Sequence, residues 1–134
     1  MKRSFAAVLL LLGFLLAGYK AYARADESVA SPPPKIAALA REWFDRFRNV
    51  SIDRSQLDER VNAQLTLALV KEEGAKLRAY GKPTSFTYLG SNQVSYATGY
   101  YFDIRFAHGK VIEAIALDAD GKIGGIDFQT FVPR

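Results

Sequence analysis

Glu113 is the residue whose setting most invites chemistry. Val94, Tyr96, Thr98, Tyr100, Phe102, Ile104 and Phe106 occupy every second position, the pattern of one apolar strand face. If His108-Gly109 forms a two-residue hairpin loop, Phe106 faces Val111, Ile104 faces Glu113, Phe102 faces Ile115 and Tyr100 faces Leu117. A carboxylate then stands among large hydrophobic side chains. Burial there would raise its pKa unless an arginine or lysine pairs with it. Such a group could transfer a proton or anchor a ligand. The plainer alternatives are a cation from a helix or an escape to the sheet edge. Tyr88, Tyr96, Tyr100 and Phe102 share the apolar parity of their strands and either fill the space under the helices or line a pocket. A pocket of that lining would take a small apolar or aromatic ligand, with tyrosine hydroxyls and Glu113 as its polar groups. In an enzyme, Glu113 would be the acid/base group, with Tyr96 or Tyr100 as its hydrogen-bond partner.

Other chemistries find less support. The chain has no cysteine, which removes disulfides, thiolate catalysis and cysteine-based zinc sites. His108 is the single histidine and falls in an expected turn, too isolated for a metal centre. Asp118-Ala119-Asp120-Gly121 echoes the start of a calcium loop, but the twelfth position is Gln129 where a glutamate is needed. A hairpin turn fits it better. No Gly-x-Ser-x-Gly occurs, and no serine is followed three residues later by lysine. Gly121, Gly124 and Gly125 lie in a strand hairpin with no helix after them, so they do not cradle phosphate. No metal and no cofactor is implied.

These residues need a scaffold, and the sequence outlines one. Ile36, Leu39, Ala40, Trp43, Phe44 and Phe47 form a helical stripe, with Arg41, Glu42, Asp45, Arg46 and Arg48 opposite. Asp53-Arg54-Ser55-Gln56 has the spacing of a capped second helix, burying Leu57 and Val61. Thr66 reads as the cap of a third, running to about Tyr80 with Leu69, Val70, Leu77 and Tyr80 inward; Gly81 and Pro83 end it. Strands follow: one through Phe86 and Tyr88, one from Val94 to Phe106 with a possible break near Gly99, one from Lys110 to about Asp118, and one through Ile123, Ile126 and Phe128. Gly124-Gly125 is the expected bulge of the last strand. Helices followed by a four-stranded antiparallel meander make an α+β domain with its helices on one sheet face.

The N-terminus supplies an address. Lys2 and Arg3 precede an apolar run from Phe5 to Ala17, and Ala21-Tyr22-Ala23 and Ala23-Arg24-Ala25 are small-x-small cleavage patterns. Residues 1–23 read as a secretory signal peptide, with 25 as the alternative end, residues 24–34 as a proline-rich linker and 35–134 as the domain. Lys20 interrupts the apolar run before the roughly 20 residues a spanning helix needs. Membrane contact is expected only through this segment, if it stays uncleaved. The expected location is periplasmic or extracellular, and the missing cysteines fit a bacterial envelope. Loss of Lys2, Arg3 and Lys20 takes the 18 basic residues to 15 against 14 acidic ones, a balance of +1. A nearly neutral domain offers no footprint for nucleic acid.

Trp43-Phe44, Ile52-Asp53-Arg54-Ser55-Gln56-Leu57, Leu65-Thr66, Gly81-Lys82-Pro83-Thr84 and Asp120-Gly121-Lys122-Ile123 resemble exported domains of the nuclear-transport-factor-two-like (cystatin-like cone) superfamily. The likeness spans residues 36–132 and rests on caps, turns and core positions. It implies a sheet curled into a cone around helices, often with a pocket. Some members are isomerases or dehydratases; many are non-catalytic binding or dimerisation modules, and similar domains accompany serine β-lactamase-type hydrolases. The resemblance therefore implies an exported small-ligand-binding or accessory domain, able to form a homodimer through its outer sheet face or to partner an envelope hydrolase. It assigns no catalytic residue.

Overall fold

The computed structural model describes residues 31–131, with the side chain of Phe131 excepted. The expected signal peptide, linker residues 24–30 and residues 132–134 lie outside them. Helix α1 spans Pro34–Arg48, a 3-10 turn Arg54–Gln56, α2 Glu59–Gln64 and α3 Leu67–Ala79. Strands β1 Ser85–Val94, β2 Ala97–Phe106, β3 Gly109–Leu117 and β4 Ile123–Phe131 pair antiparallel in sequence order as one open sheet. The α+β arrangement of helices and then meander is as the periodicity predicts.

Helix α1 begins one residue inside the expected linker, because Pro34 occupies its first turn. Proline loses nothing there, since its missing N–H would have no helical partner. The predicted stripe turns inward: Ile36, Ala40, Trp43, Phe44 and Phe47 are buried. Thr66 caps α3, its Oγ1 accepting from the Leu69 N–H at 3.2 Å, and Gly81 follows with φ +86°. Gly74 sits where α3 meets α1, and a Cβ there would run into the Phe47 carbonyl.

The second helix departs from expectation. Asp53 caps only the 3-10 turn, and α2 starts after Asp58, whose carboxylate accepts from the Val61 N–H at 2.8 Å. Gln56 does not close a capping box. Its amide nitrogen donates to Glu42 and Asp53, both at 3.0 Å, and its oxygen accepts from Trp43 Nε1 at 3.1 Å. The amide thus bridges α1 to the turn. Leu57 and Val61 are buried as foreseen.

Three corrections concern the strands. Val94 to Phe106 is not one strand, for Ser95-Tyr96 turns the chain and pairs Val94 with Ala97. Ser95 takes φ +56° without the Asn-Gly signature that usually marks such turns. The next loop is Ala107-His108, with Phe106 opposite Gly109, so the β2–β3 register lies two residues from the expected one. Phe102 therefore faces Glu113, Ile104 faces Val111 and Tyr100 faces Ile115. A shift of two preserves parity, and Glu113 keeps its face. The break near Gly99 is absent, while the bulge at Gly124 is present between the Ala116–Gly125 and Leu117–Ile123 pairs. A second bulge, unforeseen, sets Leu89 between Tyr88 and Gly90.

The main core joins helix residues Trp43, Phe44, Phe47, Val61, Val70 and Leu77 to Ile104, Phe106, Val111, Ile115, Ile126 and Phe128 of the sheet. A separate cluster on the opposite face joins, among the described residues, Val94, Ala97, Tyr101, Ala114 and Ala116, with Leu89 beside them. Among the described residues no helix is long and apolar enough to cross a membrane.

Candidate functional site

β3 is an interior strand, flanked by β2 and β4, and it carries Glu113 to the middle of the helix-covered face. Its neighbours across the ladders are Phe102 and Phe128. Helix α1 crosses above. Glu113 is 0% exposed, and neither carboxylate oxygen has a hydrogen-bond partner. Loss of solvation raises its pKa well above the ordinary carboxylate value, and the like charge of Asp45 adds to the rise. Neither of the plainer expectations holds: among the described residues no cation pairs with it, and a central strand gives it no edge to reach.

The aromatic set is only partly assembled. Tyr88, half-buried, places its ring 5.3 Å from that of Phe102. Phe102 is buried with Ile36 and Ala40 of α1, and Tyr100 packs against the same cluster. Tyr96 stands apart, in the β1–β2 turn and 50% exposed. Its hydroxyl donates to the Gly124 carbonyl at 3.3 Å, and the Arg60 guanidinium lies 4.5 Å from its ring centre. Tyr96 is thus a clasp between the turn and the β4 bulge. The pairing of Glu113 with Tyr96 or Tyr100 is not formed.

Asp127 is the residue the sequence reading missed. It lies on the other face of β4 beside Ala114, 5% exposed, with Oδ2 unpartnered. Burial lifts its pKa to about 7, against a hydrogen bond from the Phe128 backbone and with help from the Glu73 charge. The signal was the apolar run of β3 on both parities, Ile112, Ala114 and Ala116 as well as Val111 and Ile115, which marks a strand buried on both faces. Any acid paired with its outer parity would then be buried too.

Asp118 spends its carboxylate on the turn, accepting from the Asp120 and Lys122 N–H groups, both at 2.9 Å. Among the described residues no group of three or more histidine, cysteine, aspartate or glutamate side chains could hold a metal. His108 is an exposed turn residue. It borders an open cleft of about 390 Å³ lined by Lys76, Ala79, Tyr80 and Thr130 as well, and Glu113 is not in its lining.

No family model, curated protein or solved structure matches the chain.

Proposed function

We propose that the chain is an exported, non-catalytic binding or accessory domain of the nuclear-transport-factor-two-like kind. The observation that carries this reading is the closure of the helix-covered face. Its one carboxylate is 0% exposed under packed aromatic rings and has no hydrogen-bond partner to hold it in a working position. A general acid or base must reach the proton it moves within about 3 Å, directly or through one water. A second copy of the chain, met through the outer sheet face, is the simplest partner for such a domain.

Carbodiimide coupling of an amine to carboxylates, read by mass spectrometry, tests the closure. The native protein should label exposed Glu59 rapidly and leave Glu113 untouched. Labelling of Glu113 at the rate of Glu59 would restore the enzyme reading. Export is tested separately, by N-terminal sequencing of protein from envelope fractions. Arg24 or Asp26 should come first; intact Met1 would remove cleavage, and recovery from the cytoplasm alone would remove the export claim.

A further inference from the structure

The outer face of the sheet is closed, and not by the helices. Tyr101, Ile112 and Ala114 are 0% exposed there, and Ala116 is 2% exposed. The buried residues of α1, α2 and α3 pack with the other parity, on Phe102, Ile104, Phe106, Val111, Ile115 and Phe128. Side chains as large as Tyr101 and Ile112 stand clear of a sheet surface, so zero exposure requires a second layer over them. The structure holds a single chain, so that layer belongs to it. Residues 1–30 and 132–134 are the stretches left. The last three follow Phe131, which pairs with Lys110, whereas Ala116 and Gly125 lie about 20 Å away at the other end of the ladder. Three residues reach only about 10 Å. The N-terminal stretch has both the length and the chemistry. Phe5–Ala17 carries no polar side chain and extends about 20 Å even as a helix. Residues 18–30 reach about 40 Å when extended, enough to pass round the sheet from Ser31.

We propose that in the uncleaved chain Phe5–Ala17 lies across the outer sheet face, on Tyr101, Ile112, Ala114 and Ala116. Removal of apolar surface from water on both sides drives the contact. The Tyr101 hydroxyl does not oppose it, since it already donates to Asn92 Oδ1 at 2.9 Å. One consequence rests on the export reading: loss of residues 1–23 uncovers the face through which a second copy is met. The leader then holds the precursor as a monomer, and processing releases the surface for assembly.

The chain has no cysteine, so each engineered thiol reports alone. Cell-free synthesis keeps residues 1–134 together. In that full chain Ala114→Cys should react with a maleimide at least about tenfold more slowly than Thr87→Cys, at an exposed position of β1. Leu11→Asp with Leu12→Asp makes the segment too polar to bury and should bring Ala114→Cys within about twofold of Thr87→Cys. A cross-link leaves the apolar segment nearly intact. Leu11→Cys should join Gln129→Cys, on the outer face beside Ile112, through a short bismaleimide within one chain. It should not join Asp45→Cys, exposed on α1. The proposal is overturned if Ala114→Cys reacts as fast as Thr87→Cys in the full chain, if the aspartate pair leaves its protection unchanged, or if Leu11→Cys links to Asp45→Cys as readily as to Gln129→Cys. Sedimentation of processed protein from envelope fractions separates the consequence from the cover. A dimer supports release of the face, and a monomer removes the second-copy reading alone.

Discussion

Trp43→Ala should destabilise the domain by about 3–5 kcal/mol, the usual range for truncating a large buried aromatic. Trp43 is 0% exposed and belongs to the main core, with the Phe47 ring 6.3 Å away. Its removal leaves a cavity between α1 and the sheet and also releases Gln56, whose oxygen accepts the indole N–H. That second loss spreads, because the same amide holds Glu42 and Asp53. Gln56 and Arg46 lower the Glu42 pKa, and hydrogen bonds led by Ser55 hold Asp53 down at about 2. A domain of this size has only about 5–15 kcal/mol in hand, so the variant should melt far earlier in urea. Trp43 is the only tryptophan, so the melts are best followed by far-UV circular dichroism. A loss below about 1 kcal/mol would place the indole outside the core. Trp43→Phe, which keeps most of the apolar area, should cost clearly less.

Glu113→Gln should have the opposite sign, stabilising the protein by about 1–3 kcal/mol at pH 7, the scale of a buried group left unsatisfied. Burial raises the folded pKa above the ordinary 4.5, so the folded state keeps a proton that the unfolded chain releases. Stability is then full below the unfolded value and falls as pH rises toward the folded one. Glutamine has the shape of the protonated acid and escapes that loss, so the gain should vanish near pH 4. Asp127 adds a slope of the same sign between about pH 4 and 7, because its folded pKa stands near 7 against 3.8 unfolded. Asp53, lowered to about 2, acts the other way, and its contribution is lost only as pH falls below about 4. Wild type should therefore be most stable in mild acid. Melts of both proteins at pH 4, 5 and 7 decide the matter. A variant less stable than wild type at pH 7 would mean that a cation pairs with Glu113 in solution.

The first and third helices were legible because each carries a signal that tertiary contacts did not override. The stripe from Ile36 to Phe47 has one period, and Thr66 and Gly81 mark ends by chemistry that few other positions satisfy. The face of Glu113 was legible for a different reason. Parity has a period of two, so placing the β2–β3 turn one residue late shifted the register by two and left every side chain on its own side. The β1–β2 turn had no such protection. Ser95-Tyr96 continues the alternation of its flanks, yet a two-residue turn reverses which parity faces inward, sending Val94 to the opposite face and Tyr96 out of the site. Asp53 misled for lack of rivals in view: Asp58 is an equally good cap five residues on, and the contact of Leu57 with Ile123 decides between them. What packing could not reveal in advance was closure, since the same aromatics line a pocket or fill one according to where α1 comes to rest.

Both bulges lie in the outermost strands, Leu89 in β1 and Gly124 in β4, while the β2–β3 ladder between them runs without a break. An open sheet exposes two rims of unpaired peptide groups, and a straight rim is a template on which another chain can add a strand. An irregularity on each rim breaks that template, since an added strand would lose register within a few residues. On the β4 side the Asp58 N–H also occupies the Ile123 carbonyl at 2.9 Å. A domain without disulfides spends more time partly open than a cross-linked one, so protection from strand-by-strand aggregation has to reside in the backbone path itself.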